Sequence, residues 1–252
     1  SQKWAFSIVD KCIVLEDDDV PSQSFFTFCK EMLDRYEHDE RIGMIAGFNP
    51  EEKLDGYPSD YLFTSVFSIW GWASWRRVID KWDASYAFLD DPNAMRQVEG
   101  IMRQRQLCRD TLRACYDHRA SGKYYETIFW ASMLLNSALA IMPTRNLINN
   151  LGATDGSTHY TGSLQTMPRR LRRLFTMKRF EFDAPLRHPR YIIEDVDFKE
   201  KVYRTYAYGH PWIKAGRSME ELWLNLKYGN FGHIARSVAN RVAKILGKDK
   251  HW

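Results

Sequence analysis

The run Cys12-Ile13-Val14-Leu15-Glu16-Asp17-Asp18-Asp19-Val20-Pro21 constrains this chain more than any other stretch. Four apolar residues stop abruptly at four adjacent carboxylates, and a proline follows. A short apolar run bounded by turn signals reads as a buried strand of an α/β sheet. Ligands of such sheets bind just beyond the carboxyl ends of the strands. Neighbouring carboxylates repel, so the run is costly unless a cation, a helix N-terminus or water offsets the charge. Hard oxygen donors suit Mg²⁺ or Mn²⁺, ions that commonly bring a substrate phosphate with them. Strand alternation carried through the run would put Glu16 and Asp18 on one face, Asp17 and Asp19 on the other. Asp18 is then the candidate direct ligand, with Glu16 and Asp17 tuning the site or holding a ribose. The competing reading is a helix start, in which Ser22 or Ser24 N-caps a helix near Phe25 and the acids answer its dipole.

With 252 residues, 44% of them hydrophobic, the chain can bury a sizeable core as one domain, with a C-terminal appendage. The expected division is a catalytic domain over residues 1–165 and a basic, mainly helical region over 166–252. No stretch approaches the roughly 18 to 20 consecutive apolar residues of a membrane span, and the opening residues do not read as a signal peptide. Cys12, Cys29, Cys108 and Cys115 form no C-x-x-C pair, so neither a zinc site nor a disulfide framework is expected. A reducing, cytoplasmic setting fits that usage. The net charge of +4 hides a division: residues 1–159 carry 17 Lys/Arg against 23 Asp/Glu, net −6, and residues 160–252 carry 19 against 9, net +10. The acidic part suits a cation site and the basic part an anionic surface. No nucleic-acid recognition motif is visible, so nucleic acid is not expected as a partner.

Periodicity predicts a helix ending near residue 9, a strand over 11–15 and an amphipathic helix over about 24–38 with Phe25, Phe28, Met32 and Tyr36 inward. Ile42 to Ala46 reads as a second buried strand, Glu51 to Asp60 as a loop, and Tyr61 to Ile69 as a strand running into Trp70-Gly71-Trp72-Ala73-Ser74-Trp75-Arg76-Arg77. Helices are expected over about 94–119 and 127–137, then a last strand over Ala138 to Met142. Alternating strands and helices argue for a mostly parallel sheet flanked by helices. Asn146 to Thr161, rich in Asn, Gly, Thr and Asp, reads as a long loop carrying His159.

The stretches IVLEDDDVPSQSFFTFCKEML, RIGMIAGFN, SIWGWASWRR, LAIMPTRNLINNLG and DGSTHYT occur in an order that resembles bacterial GT-A glycosyltransferases. The group is that of nucleotide-diphospho-sugar transferases related to family 2, distantly similar to N-acetylglucosaminyltransferase I. The resemblance covers about residues 4–162. It implies a GT-A-like α/β fold and a metal-dependent, inverting transfer from a nucleotide-diphosphate donor, a UDP-sugar, to a glycan or lipid-linked acceptor in surface polysaccharide synthesis. Glu16-Asp17-Asp18 matches the Glu-Asp-Asp form of the DxD motif, whose last acid binds Mn²⁺ or Mg²⁺. Trp70-Gly71-Trp72 matches the Gly-Trp turn beside sugar and acceptor, and His159 matches a histidine on the late loop that reaches the metal or the diphosphate.

Such a transfer needs a general base for the acceptor hydroxyl. Glu126 is the candidate, at the start of the helix predicted from Thr127, with Asp83 and Asp117 in reserve. Trp72 follows a glycine turn and is the candidate to stack on a sugar ring, whereas Trp75 reads as core. Arg77, beside Arg76, is a candidate phosphate ligand through its planar fork. The family's nucleotide-binding strands precede the metal motif by many tens of residues, whereas 15 residues precede Glu16 here, so a fragment or an atypical short form is expected. Two other readings stay open: a nucleotidyltransferase, which lacks its Gly-rich phosphate loop in this chain, and a non-catalytic binding or assembly module. Apolar residues from Phe231 to Leu246 recur at helical spacing opposite Arg236 and Lys244. That pattern makes 231–248 a candidate peripheral contact with an anionic membrane surface, or equally a helix packed on the body of the protein.

Overall fold

A computed structural model describes residues 2–122, 124–152 and 164–245. In chain order the elements begin with α1 (Gln2–Ile8), β1 (Lys11–Val14), β2 (Asp19–Pro21), α2 (Gln23–Arg35), β3 (Ile42–Ala46), β4 (Tyr61–Thr64) and β5 (Trp72–Trp75). After these come α3 (Arg76–Ile79), α4 (Pro92–Ile101), α5 (Arg105–Ser121), α6 (Glu126–Leu135), β6 (Leu139–Pro143) and β7 (Ile148–Asn150). The described chain ends with α7 (Arg169–Leu174), α8 (Val196–Tyr206), α9 (Pro211–Lys227) and α10 (Phe231–Ile245).

The protein is α/β, with a mixed five-stranded sheet of order β1-β5-β3-β6-β4 flanked by helices. The expectation of a mostly parallel sheet is corrected: β3 and β6 are parallel, while β1–β5, β5–β3 and β6–β4 are antiparallel. The physical reason is an interposed strand. β1, α2 and β3 form a crossover whose two strands run the same way, but β5 inserts between them and runs against both. Local periodicity carries no information about which strand fills that gap. The last-strand expectation also fails, because Ile148–Asn150 lies inside the segment read as loop and pairs antiparallel with β2.

Strands β3, β4 and β5 explain themselves by burial. Every residue of β3, β4 and β5 is buried, as a strand covered on both faces requires. Helix α2 lays Phe25, Phe28, Cys29, Met32 and Leu33 into the core at the three- and four-residue spacing of one helix face. One core cluster joins these residues to Ile45, Trp72, Phe129 and Ile141, and extends to Leu174 and Met177. A second lies among α4, α5 and α6 around Val98, Leu112 and Cys115. The third joins Ala46, Leu62 and Met142 to Phe198 and Val202 of α8. Segments on both sides of residue 165 therefore share buried contacts with the same sheet. All four cysteines are free thiols. Among the described residues no helix is long and apolar enough to cross a membrane.

Candidate metal centre

The carboxylate run leaves the strand before it can alternate. β1 ends at Val14, and Glu16 to Asp19 form a tight turn closed by the Asp19 N–H donating to the Glu16 carbonyl at 3.1 Å. A turn folds side chains together that a strand would separate. Glu16, Asp18 and Asp19 converge, offering carboxylate oxygens within 4.8 Å of one another, while Asp17 sits exposed at the turn. The expected pairing of Glu16 with Asp18 survives. Asp19, expected on the opposite face, replaces Asp17 as the third acid of the group.

Tertiary contacts hold the turn. The Asp19 carboxylate accepts N–H bonds from Glu16 at 3.0 Å and Gly71 at 2.8 Å. Gly71 has φ of +58°, and a Cβ there would lie 2.5 Å from Ile148, so both backbone conformation and space demand glycine. From β7, the Asn150 amide donates to Asp18 at 2.7 Å and to Asp19 at 3.2 Å, bridging the two acids. Gly152 donates its N–H to the side-chain Oδ1 of Asn150 at 2.8 Å. A Cβ on Gly152 would fall 2.0 Å from Asp18 Oδ2, so the backbone at residue 152 packs against that carboxylate only because it carries no side chain. Tyr125 makes a long 3.5 Å contact to Glu16 Oε1, and its oxygen accepts from the Trp72 indole N–H at 3.3 Å.

The start of α2 does not neutralise these acids. The first amides of α2, Gln23 and Ser24, are taken by Glu181 at 3.1 and 2.7 Å. Among the described residues no Lys or Arg forms an ion pair with Glu16, Asp18 or Asp19. Burial, followed by the charges of Asp19, Asp18 and Glu126, pushes the Glu16 carboxyl up to about 7. Burial also raises the Asp19 carboxyl, against the lowering effect of its amide donors. Three crowded oxygen ligands without a cationic side chain among their described partners are the donor chemistry a hard divalent cation takes, so the cluster could hold a metal ion.

A carboxyl raised on folding holds its proton when the unfolded chain has already lost it. Glu16 therefore stabilises the metal-free fold fully below its ordinary value of 4.5, and that contribution is lost as pH rises through about 7. Urea unfolding at pH 5 and pH 7.5 should show a difference on the order of 1–3 kcal/mol from this group, the upper end being the unscreened limit. Glu16→Gln should flatten most of that slope. An identical slope in the two proteins would remove Glu16 from the cluster's electrostatics.

The other expected site residues divide. Trp70 is half-buried between Phe48 and Phe175, with ring centroids 4.6 and 5.1 Å away. Trp72 is fully buried against Phe6, Trp82, Tyr125 and Phe129, so no ring face is open to a sugar. The turn at Gly71 points the following side chain into the core. Arg77 does not face the acids either. Its guanidinium donates to the carbonyls of Tyr36 and Glu37, just past the end of α2, and of Ile42, at the start of β3, at 2.8–3.0 Å, and lies over the Trp75 ring at 4.5 Å. Three carbonyls converging from two segments suit the planar multi-donor group of an arginine. Glu126 begins α6 close enough to act on Glu16. Asp83 accepts from Ser85 and Ala87 in its own turn, and Asp117 is exposed on α5. His159 lies outside the described residues. Tyr125, Asn150 and Gly152 were missed as site residues; Asn150 and Gly152 stood in the NNLG stretch, in a segment read as loop.

A scan of protein-family models finds no match to this chain, and a search of curated proteins finds none.

Proposed function

We propose that the protein is a metal-dependent glycosyltransferase of GT-A type, moving a sugar from a nucleotide-diphosphate donor, a UDP-sugar, to a glycan acceptor in surface polysaccharide synthesis. The observation that carries this reading is the convergence of Glu16, Asp18 and Asp19, without a cationic side chain among their described partners. The order of the EDD, GWASW and NNLG stretches supports the same class. Mn²⁺ or Mg²⁺ is the ion that such a donor set favours. When bound, the ion neutralises negative charge that builds on a departing diphosphate.

The chain's own residues have separate duties in this scheme. Asp18 and Asp19 hold the ion, fixed by the Asn150 amide and the Gly71 N–H. Glu16 ionises near neutral pH and completes the set. Trp70, half-buried beside Gly71, offers the remaining aromatic edge for a sugar. Glu126 takes the proton of the acceptor hydroxyl as that oxygen bonds to the anomeric carbon and the nucleotide diphosphate leaves from the opposite face, an inverting transfer.

Calorimetric titration with UDP in the presence and absence of Mn²⁺ tests the class. Binding that requires the ion is expected, followed by release of UDP when a sugar donor and acceptor are supplied. Glu126→Gln should keep UDP binding and lose transfer. Release of pyrophosphate would make the protein a nucleotidyltransferase, and absence of any heat would make it a binding module.

A further inference from the structure

Helix α9 carries its apolar face outward. Trp212, Met219 and Trp223 are 87%, 68% and 57% exposed, and Leu222 and Leu226 are exposed beside them. At 100° per residue these five side chains fall within an arc of about 100°. The opposite side of the helix is what the fold buries, through Leu224 and Asn225. Surface helices of globular proteins show the reverse arrangement, and a contiguous exposed apolar stripe marks an interaction surface. Phe231, at the start of α10, is 65% exposed and lies just beyond the end of the stripe.

Beside the stripe runs an arginine-lined groove. Arg169, Arg170, Arg172 and Arg173 of α7 line it with Ile213, Gly216, Arg217 and Glu220 of α9; Glu220 accepts the Arg169 backbone N–H at 2.9 Å, and Arg173 is paired with Glu52 at 3.0 Å. Arg170 and Arg217 each give one donor to a backbone carbonyl, at 2.9 and 3.0 Å, out of the five that a guanidinium has. The remaining donors suit phosphate oxygens. Lys227 closes the end of the stripe, with its ammonium 5.1 Å above the Trp223 ring.

We infer that α9 and the α7 arginines form a docking surface for an anionic lipid bilayer, with Trp212, Met219 and Trp223 entering the headgroup boundary and the arginines binding lipid phosphates. Two features select this occupant. Exposed tryptophans beside long cations match the membrane interface, where an indole meets both apolar and wet surroundings. The net charge of +10 over residues 160–252 complements an anionic surface, whereas two copies meeting face to face would oppose their arginine clusters. The inference does not rest on the proposed transfer reaction, and its test omits nucleotide and metal. It also moves the membrane contact from 231–248, where periodicity put it, onto α9.

The full chain is mixed with phosphatidylcholine vesicles, with and without 30% phosphatidylglycerol, and bound protein is separated by flotation. Binding at least tenfold stronger to the anionic vesicles is expected, together with its loss in 0.5 M NaCl. Brominated acyl chains should quench tryptophan emission, and Trp212→Phe with Trp223→Phe should remove most of that quenching. Arg169→Gln with Arg172→Gln should weaken anionic binding about fivefold while leaving the melting temperature in place. Equal binding to both vesicle types, or none, overturns the inference, as does quenching unchanged in the Phe variant. A dimer seen by light scattering without vesicle binding would assign the stripe to a second copy instead.

Discussion

Asp18→Ala should lower the Mn²⁺-dependent affinity for UDP at least 100-fold, about 3 kcal/mol, without unfolding the protein. The two halves of that result have different physical origins. The lost carboxylate is one of three oxygen donors in the cluster. The fold tolerates its removal because Asn150 keeps its second partner, Asp19, and because Asp18 is one of the charges that crowd Glu16. Losing a hydrogen bond and losing a repulsion act in opposite directions, so metal-free stability should change by less than about 1 kcal/mol. Asp17→Asn is the internal control. Asp17 sits exposed on the same turn and should be silent in both measurements. Unchanged UDP affinity in Asp18→Ala would end the ligand role, and an equal loss in Asp17→Asn would mean that the turn presents different oxygens.

Trp72→Ala should cost about 3–5 kcal/mol of stability, the range for removing a large buried aromatic. The indole is completely buried, stacks with Phe6, packs at a tilt against Trp82 and Phe129, and spends its N–H on Tyr125. Native stability is commonly about 5–15 kcal/mol, so the substitution removes a large fraction and shows directly as a lower urea midpoint. The site suffers as a consequence, because Tyr125 loses the donor that orients its hydroxyl toward Glu16. Had Trp72 faced a sugar, its removal would leave stability within about 0.5 kcal/mol and change only acceptor or donor binding. A near-neutral urea curve with weakened binding would restore that role and contradict the packing described above.

The elements that could be read in advance were those with a local cause. Ile42 to Ala46 is uniformly apolar and became the fully buried β3, and α2 buries Phe25, Phe28 and Met32 as its period requires. The helical pattern predicted over 94–119 was broken into α4 and α5 between Ile101 and Arg105. Within the carboxylate run, the presence of a charge problem was legible, but its solution was not. Alternation assigned Asp17 and Asp19 to one face, and a single backbone hydrogen bond between Asp19 and Glu16 overruled it. Arg77 and Trp72 were misjudged for a related reason. A donor-rich or aromatic side chain beside a glycine turn suits a ligand and a core equally well, and only its neighbours decide between them.

By itself, the sequence determined where apolar surface must be hidden, where negative charge accumulates before β2, and where positive charge accumulates after residue 159. These are properties of residues close together along the chain. Tertiary structure alone decided that β5 separates β1 from β3, that Asn150 crosses from β7 to bridge Asp18 and Asp19, and that α9 turns its tryptophans outward. Each of these joins residues far apart in sequence, or sets which face of a helix finds a partner. Such pairings are selected by the packing of the whole chain, and no local preference encodes them.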